Sequence, residues 1–270
     1  RLVVDRDRSI AEFQPVPFWA IDVGLLADGS PFTAQWRAPE EACDEQGRCL
    51  NANLAQQAAT AMGAAGHAEV VKLTERMREA PPLPFDLGTL QEVCSKKLGL
   101  GAQETLDIAQ ALYETHKLIT YPRSDCGYLP PSQHGEAPAI LAALGRADPG
   151  LADLQRYLEP QRRSRAWNDA KVGAHHGIIP TAEPVNLAAM SERERAVYQL
   201  VRDRYLVQFL PHHEFERITV RLACGDEVLQ AAGRKILVPG WRELPCEPEL
   251  SEAQGEGEAF AGAQVLPALH

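Results

Sequence analysis

No stretch of these 270 residues approaches the ~18 consecutive apolar residues of a membrane-crossing helix, so no membrane partner is expected. A secretory leader is not expected either, because Arg1 opens into a charged segment rather than an apolar one. Positive charge is in deficit as well. Lys and Arg number 27 against 37 Asp and Glu, a net charge of −10, which disfavours a simple nucleic-acid-binding module with a broad basic field. Cysteine is too sparse and too irregular for a disulfide framework: six residues, at 43, 49, 94, 126, 224 and 246. Cys43 and Cys49 enclose a spacing too wide for a zinc knuckle and have no second pair. Reduced thiols and a cytoplasmic location follow.

What is present is enough for real cores, with 45% hydrophobic residues, in one large domain or two small ones. The basic residues are unevenly spread, 14 of the 27 lying between positions 81 and 211. Arg162, Arg163, Arg165 and Lys171 cluster ahead of His175-His176. On charge alone that cluster reads as a solvated loop, and any DNA contact must be focused.

Apolar spacing predicts a helix over Arg1–Phe13, in which Asp5 and Asp7 pair locally with arginines rather than hold a metal. A hairpin is expected next, Phe18–Val23 and Pro31–Trp36 about an Asp28-Gly29 turn. A helix over Leu54–Ala65 ended by Gly66 and a strand over Glu69–Leu73 follow. Pro81-Pro82-Leu83-Pro84 marks a boundary. Beyond it, Thr89 with Glu92 suggests a capping box. Gly99-Leu100-Gly101 joins two helices, the second with Leu106, Ala109 and Tyr113 on one face. A helix over Gln133–Leu144 and another capped by Ser191 and Glu194 complete this region, and Pro211 stops it. Phe215–Leu222 alternates as a strand, Val228–Val238 supplies another, and Ser251–Gly262 is an acidic, glycine-bearing stretch.

The chemically suggestive stretch is Leu118-Ile119-Thr120-Tyr121-Pro122-Arg123-Ser124-Asp125. Pro122 biases Tyr121 toward extended backbone, which would put Arg123 and Asp125 on the same side as the phenol. A guanidinium fork beside a phenol suits a phosphate held against an oxygen nucleophile. By itself this is also the pattern of a tyrosine turn followed by a surface Arg–Asp pair. His175 and His176 should point opposite ways in extended backbone, and His212-His213 reads as packing.

The octapeptide resembles the active-site signature of type IA DNA topoisomerases, with Ser124 where a threonine is usual. Pro81–Phe85 and Thr89-Leu90-Gln91 resemble the segment leading to that signature. Trp167-Asn168-Asp169 and Ala174–Thr181 resemble the family's second signature in its topoisomerase III form, and Arg1–Arg6 resembles the end of a helix of the gate-forming core. The resemblance implies an α+β, multi-domain arch in which a helical, helix-turn-helix-containing (CAP-like) lobe is inserted into a β lobe. It places the core edge at 1–15, the β domain at 16–80 and 212–270, and the helical domain at 81–211. It implies Tyr121 as the nucleophile, with Arg123 and Asp125 in the catalytic set. His175, Arg1, Arg6 and Lys171 are implied as DNA-binding residues, single-stranded DNA as partner, no ATP and a monomer. Mg²⁺ in the parent enzyme would belong to a Toprim domain that this sequence does not match, so the chain would hold half of an active site and be inactive alone. Two alternatives compete with this reading. A tyrosine recombinase needs its arginine–histidine–arginine set ahead of the tyrosine, whereas His175 follows Tyr121. A non-catalytic single-stranded DNA-binding or scaffold protein of the same fold stays open.

Overall fold

The computed structural model describes residues 1–27 and 29–244, and the backbone of 258–259 and 264–269. Asp28 of the expected hairpin turn, Cys246, and the acidic stretch at 251–262 apart from 258–259 lie outside the described residues. The chain forms two compact units. One comprises Arg1–Arg76, Glu216–Lys235 and Ala261–His270; the other comprises Met77–Phe215 and Ile236–Phe260.

In the first unit, α1 (Leu2–Ala11) buries none of its residues. β1 (Asp22–Ala27) and β2 (Ser30–Trp36) form an antiparallel hairpin from Asp22↔Gln35 to Ala27↔Ser30, turned at Gly29, whose φ of +79° suits a residue without Cβ. The first strand begins later than its apolar pattern suggested. Phe18 and Trp19 stay outside the hairpin, and Trp19 N–H instead donates to Cys49 O at 2.9 Å. α2 (Ala52–Ala65) is capped by Asn51, whose side chain accepts from Leu54 N, and stops at Gly66, φ +69°. Its Ala55, Ala58 and Met62 pack with Ala34, Trp36, Leu222 and Leu229. Ala55 and Ala58 are small enough to let the helix approach the sheet closely.

β3 (Glu69–Glu79), β4 (His213–Cys224) and β5 (Glu227–Val238) run on into the second unit. With β6 (Glu258–Ala259) and β7 (Gln264–Leu269) they complete one sheet of order β1-β2-β5-β4-β3-β6, β7 also pairing with β3. β2 meets β5 at Gln35↔Gln230 and Trp36↔Leu229, so strands from both ends of the sequence share the sheet. β3 outruns the expected Leu73 because β6 supplies ladder partners at Met77 and Arg78; backbone pairing, not side-chain pattern, extends it. The α+β expectation is borne out.

In the second unit, α3 (Leu87–Leu98) and α4 (Ala102–Glu114) are joined at Gly99, φ +67°. The cap of α3 is Asp86, which accepts from Thr89 N at 2.7 Å, and not the expected Thr89–Glu92 box. Asp86 is extended while Thr89 is already helical, and a short carboxylate reaches the free N–H best from that geometry. α5 (Ala137–Ala147) starts four residues late, behind a 3-10 turn over Pro131–Glu136. Pro138 in its first turn has no N–H to donate, which suits a helix start but not an interior. α6 (Ala152–Gln155) is a single turn, and α7 (Glu192–Leu206) carries the full Ser191–Glu194 capping box. Leu90, Leu112, Leu118, Ile178 and Phe209 are sealed in the common core, each contributing on the order of 1.5–3 kcal/mol by burial.

Candidate active site

Where α4 ends, Lys117 takes a positive φ of 59° and the chain doubles back, with Leu118 N–H donating to Leu112 O at 2.9 Å. Leu118 and Ile119 then anchor in the core. They lie along the segment 177–181: Thr120 N–H donates to Ile179 O at 2.9 Å and Thr181 N–H to Leu118 O at 3.0 Å. Thr120 Oγ1 completes the lacing, accepting from Ile179 N at 3.0 Å and donating to Gly177 O at 3.1 Å. The next residues alternate. Tyr121, Arg123 and Asp125 are exposed while Pro122, Ser124 and Cys126 are buried. Ser124 Oγ accepts from Cys126 N at 3.2 Å and Ser124 O accepts from Leu87 N at 2.8 Å, pinning the inner side to the start of α3.

Other segments singled out in the sequence converge behind this one. Ile178 N–H donates to Phe85 O at 2.7 Å, Gly177 N–H to Tyr128 O at 2.8 Å and Asn168 N–H to Leu129 O at 3.0 Å. The approach is close enough to require glycine. A Cβ on Gly127 would lie 2.8 Å from Pro84 O, and one on Gly177 would lie 3.0 Å from Pro84 Cβ and 3.2 Å from Gly127 O. Residues 83–85, 126–129, 166–168 and 175–181 therefore form a platform of nearly touching backbones under Tyr121.

On that platform the Tyr121 ring lies 4.6 Å from the His175 ring, tilted by 31°, and meets Tyr113 of α4 edge-on at 5.8 Å. Both aromatic contacts hold the phenol from its sides while the residue stays 36% exposed. Arg123 Nε donates to Gln110 Oε1 at 3.3 Å, so its fork is steadied by α4 and not by Asp125. His176 turns inward: its Nδ1 lies 2.9 Å from Gly177 O, and its Nε2 lies 2.8 Å from Gln133 Nε2, which donates to it. Asp125 instead faces a cavity of about 550 Å³ that it shares with Asp86, Glu92, Tyr128, Lys171 and Arg204. Lys171 Nζ donates to the Tyr128 hydroxyl at 3.1 Å and sits 4.9 Å from that ring's centroid.

Other tyrosines are worse placed for nucleophilic work. Burial pushes the Tyr198 phenol up to about 12 and raises that of Tyr205 further still; both rings are sealed in the core. Of the basic cluster, Arg162 is spent on a two-pronged pair with Glu159 at 2.9 and 3.0 Å, and Arg165 Nε donates to Pro81 O at 3.4 Å. Arg6 lies on α1 and Arg1 is its N-cap residue, both in the other unit, where Arg1 pairs with Asp5 at 3.7 Å. Among the described residues, no group of three or more His, Cys, Asp or Glu side chains is arranged to hold a metal ion. The described residues therefore offer no ready-made site for Mg²⁺.

Gln110, Tyr128 and Arg204 stand in none of the sequence motifs, and Tyr113 reads there as helix packing alone. Arg204 carried a signal: it interrupts the apolar face of α7, is 2% exposed, and stacks its guanidinium 4.6 Å from the Phe85 ring centroid.

The arrangement can be set beside known proteins. A family model described as DNA topoisomerase matches residues 1–266. The chain belongs to the DNA topoisomerase family. It is 39% identical to the DNA topoisomerase 3 of Pasteurella multocida, over 94% of this chain and 42% of that protein. To the DNA topoisomerase 3 of Salmonella typhimurium it is also 39% identical, over 93% and 39% of the two chains. The topoisomerase III resemblance of the signatures is thus borne out. The fold is also similar to that of full-length topoisomerase I from Thermotoga maritima, with a TM-score of 0.60 at 22% identity, covering 99% of this chain and 42% of that one. The chain spans about two fifths of the length of the curated relatives it matches.

Proposed function

We propose that this chain supplies the nucleophile to a type IA, topoisomerase III-like enzyme that cuts and rejoins single-stranded DNA. The observation that carries the reading is the grouping of Tyr121, Arg123 and His175 on one exposed edge, with Tyr121 and His175 ring to ring at 4.6 Å though 54 positions apart. In this reading the Tyr121 hydroxyl oxygen attacks a backbone phosphorus. The phosphorus–oxygen bond to the 3′ carbon's oxygen breaks, and a 5′-phosphotyrosine link forms while a free 3′ hydroxyl leaves. The phenol proton is given up as attack proceeds, and the departing oxygen gains one. Because one ester replaces another, resealing runs the same steps backward without ATP. Arg123 neutralises the non-bridging oxygens. His175 donates a hydrogen bond to the phosphate next to the break. Asp125 and Lys171 border the adjoining cavity, where Lys171 meets DNA phosphate. Arg1 and Arg6 contact the strand from the gate core.

The region 81–211 serves as the nucleophile domain, 16–80 with 212–270 as the β domain, and 1–15 as the edge of the gate. Mg²⁺, where the complete enzyme uses it, is held by residues outside this chain. The whole activity, a monomeric state and a cytoplasmic location are those of the longer enzyme. The test is covalent capture of end-labelled single-stranded DNA by the complete enzyme. It should yield a protein–DNA adduct whose labelled tyrosine peptide contains Tyr121; an adduct on another residue would overturn the assignment. A non-catalytic DNA-binding or scaffold role predicts DNA retention with no adduct at all.

A further inference from the structure

We propose that Cys43 and Cys49 form a reversible disulfide that clips the loop between them. The hydrogen bonds around the pair fix their relation. Leu50 N–H donates to Ala42 O at 2.9 Å and Asp44 N–H to Arg48 O at 3.1 Å, and the two cysteines are bridge partners in antiparallel sense. Bonds on either side and none between define a non-hydrogen-bonded pair. Such pairs bring Cα atoms to about 4.5 Å with both side chains on one face, inside the ~4.4–6.8 Å range that a disulfide spans. Closing the link asks the side chains to rotate from their present partners, Cys43 Sγ lying 3.9 Å from Ala38 O and Cys49 Sγ 3.5 Å from Asn51 O.

The loop is also held in shape before any link forms. Asp44 Oδ1 accepts from Gln46 N at 3.0 Å and Arg48 N at 2.9 Å, and Asp44 Oδ2 accepts from Arg48 Nε at 2.7 Å. Gly47 supplies the left-handed corner at φ +72°. Cys43 is half-buried and Cys49 is 2% exposed, so Cys43 is the thiol a reagent meets first. The other described cysteines stand apart: Cys94 is fully buried, Cys126 Sγ lies 3.4 Å from Lys171 O, and Cys224 Sγ lies 3.6 Å from Met62 O.

The oxidant is a small disulfide of the glutathione class. The Cys43 thiolate attacks one of its sulfurs, the reagent's S–S bond breaks, and one glutathione thiolate leaves. The Cys49 thiolate then attacks the Cys43 sulfur and expels the second. Two electrons pass to the reagent, and the two thiol protons end on the released glutathiones. Desolvation, then the neighbouring Cys49, hold the Cys43 thiol above its ordinary value, so clip formation quickens as pH rises.

Equilibrating the full chain with oxidised or reduced glutathione, alkylating what remains free and digesting with trypsin tests the clip. Cleavage after Arg48 separates the two cysteines, so a linked pair of peptides, 38–48 with 49–72, is diagnostic. The pair should appear in oxidised buffer, vanish in reduced buffer, and form several-fold faster per unit rise in pH while the thiol remains mostly protonated. Cys43→Ser, with Cys43→Ala as a second variant, should lose it while Cys94 and Cys224 keep their slow alkylation. Alkylation of both cysteines in oxidised buffer, a glutathione left on Cys43, or a link from either to Cys246 would overturn the proposal.

Discussion

Arg123 differs from a lysine in having a fork of five N–H groups, of which Gln110 steadies one while the residue stays exposed. Arg123→Lys keeps the charge and loses that geometry. DNA cleavage by the complete enzyme should drop about 100-fold, with melting unchanged; cleavage within a factor of two of the parent would contradict the role given to the fork. The glycine platform makes a second prediction at this scale. Gly127→Ala puts a Cβ 2.8 Å from Pro84 O, so residues 83–85 must shift beneath Tyr121. A loss of roughly 1–3 kcal/mol in denaturant unfolding is expected, and an unperturbed variant would show that the backbones do not need to touch. The alternating exposure of Tyr121, Arg123 and Asp125 was legible because Pro122 stiffens the chain and a period of two follows. The Gln110 anchor was not, since no local pattern says which helix face will receive a distant arginine. The opposite facing of His175 and His176 was legible from adjacency alone.

Ser191 and Glu194 start α7, the helix that buries Val197, Val201 and Tyr205. Ser191→Ala should cost about 1 kcal/mol, read as a lower denaturation midpoint at unchanged slope. The Ser191 backbone N–H, then its hydroxyl, then His116 hold the Glu194 carboxyl below its usual value. A depressed carboxylate adds stability that is complete above its unfolded value and is lost as pH falls through its folded one. Acid titration of Glu194→Gln should therefore show a shallower fall in stability below the ordinary carboxylate range than the parent; identical curves would exclude Glu194 as a contributor. Elements with local punctuation were legible at this scale: the glycine stops after α2 and α3 and the capping box of α7. Starts decided by competition were not. Asp86 displaced Thr89 as a cap, Pro138 delayed α5, and Phe18 and Trp19 left the hairpin because Cys49 offered Trp19 a backbone acceptor.

For the whole molecule, a net charge of −10 sets what the isolated chain can do with DNA. Few phosphates can be neutralised, so single-stranded DNA should bind weakly and lose affinity steeply as salt rises. Tight binding that ignores salt would point to base stacking instead. No cleavage is expected from this chain alone, with or without magnesium. The α+β class and the meeting of β2 with β5 were legible, because alternation and turn residues mark the strands at both ends of the sequence. The pairing of β3 with β6 was not, since 258–259 fall in a stretch that reads as acidic and glycine-bearing, without strand alternation. The covalent bond to DNA is proposed to form at Tyr121. Replacing it by Phe removes one oxygen from a ring held by His175 and Tyr113. The direct measurement is covalent capture of labelled single-stranded DNA by the complete enzyme and by its Tyr121→Phe variant, with folding checked by melting. Loss of the adduct in a normally folded variant is the predicted result; an adduct that survives would contradict it.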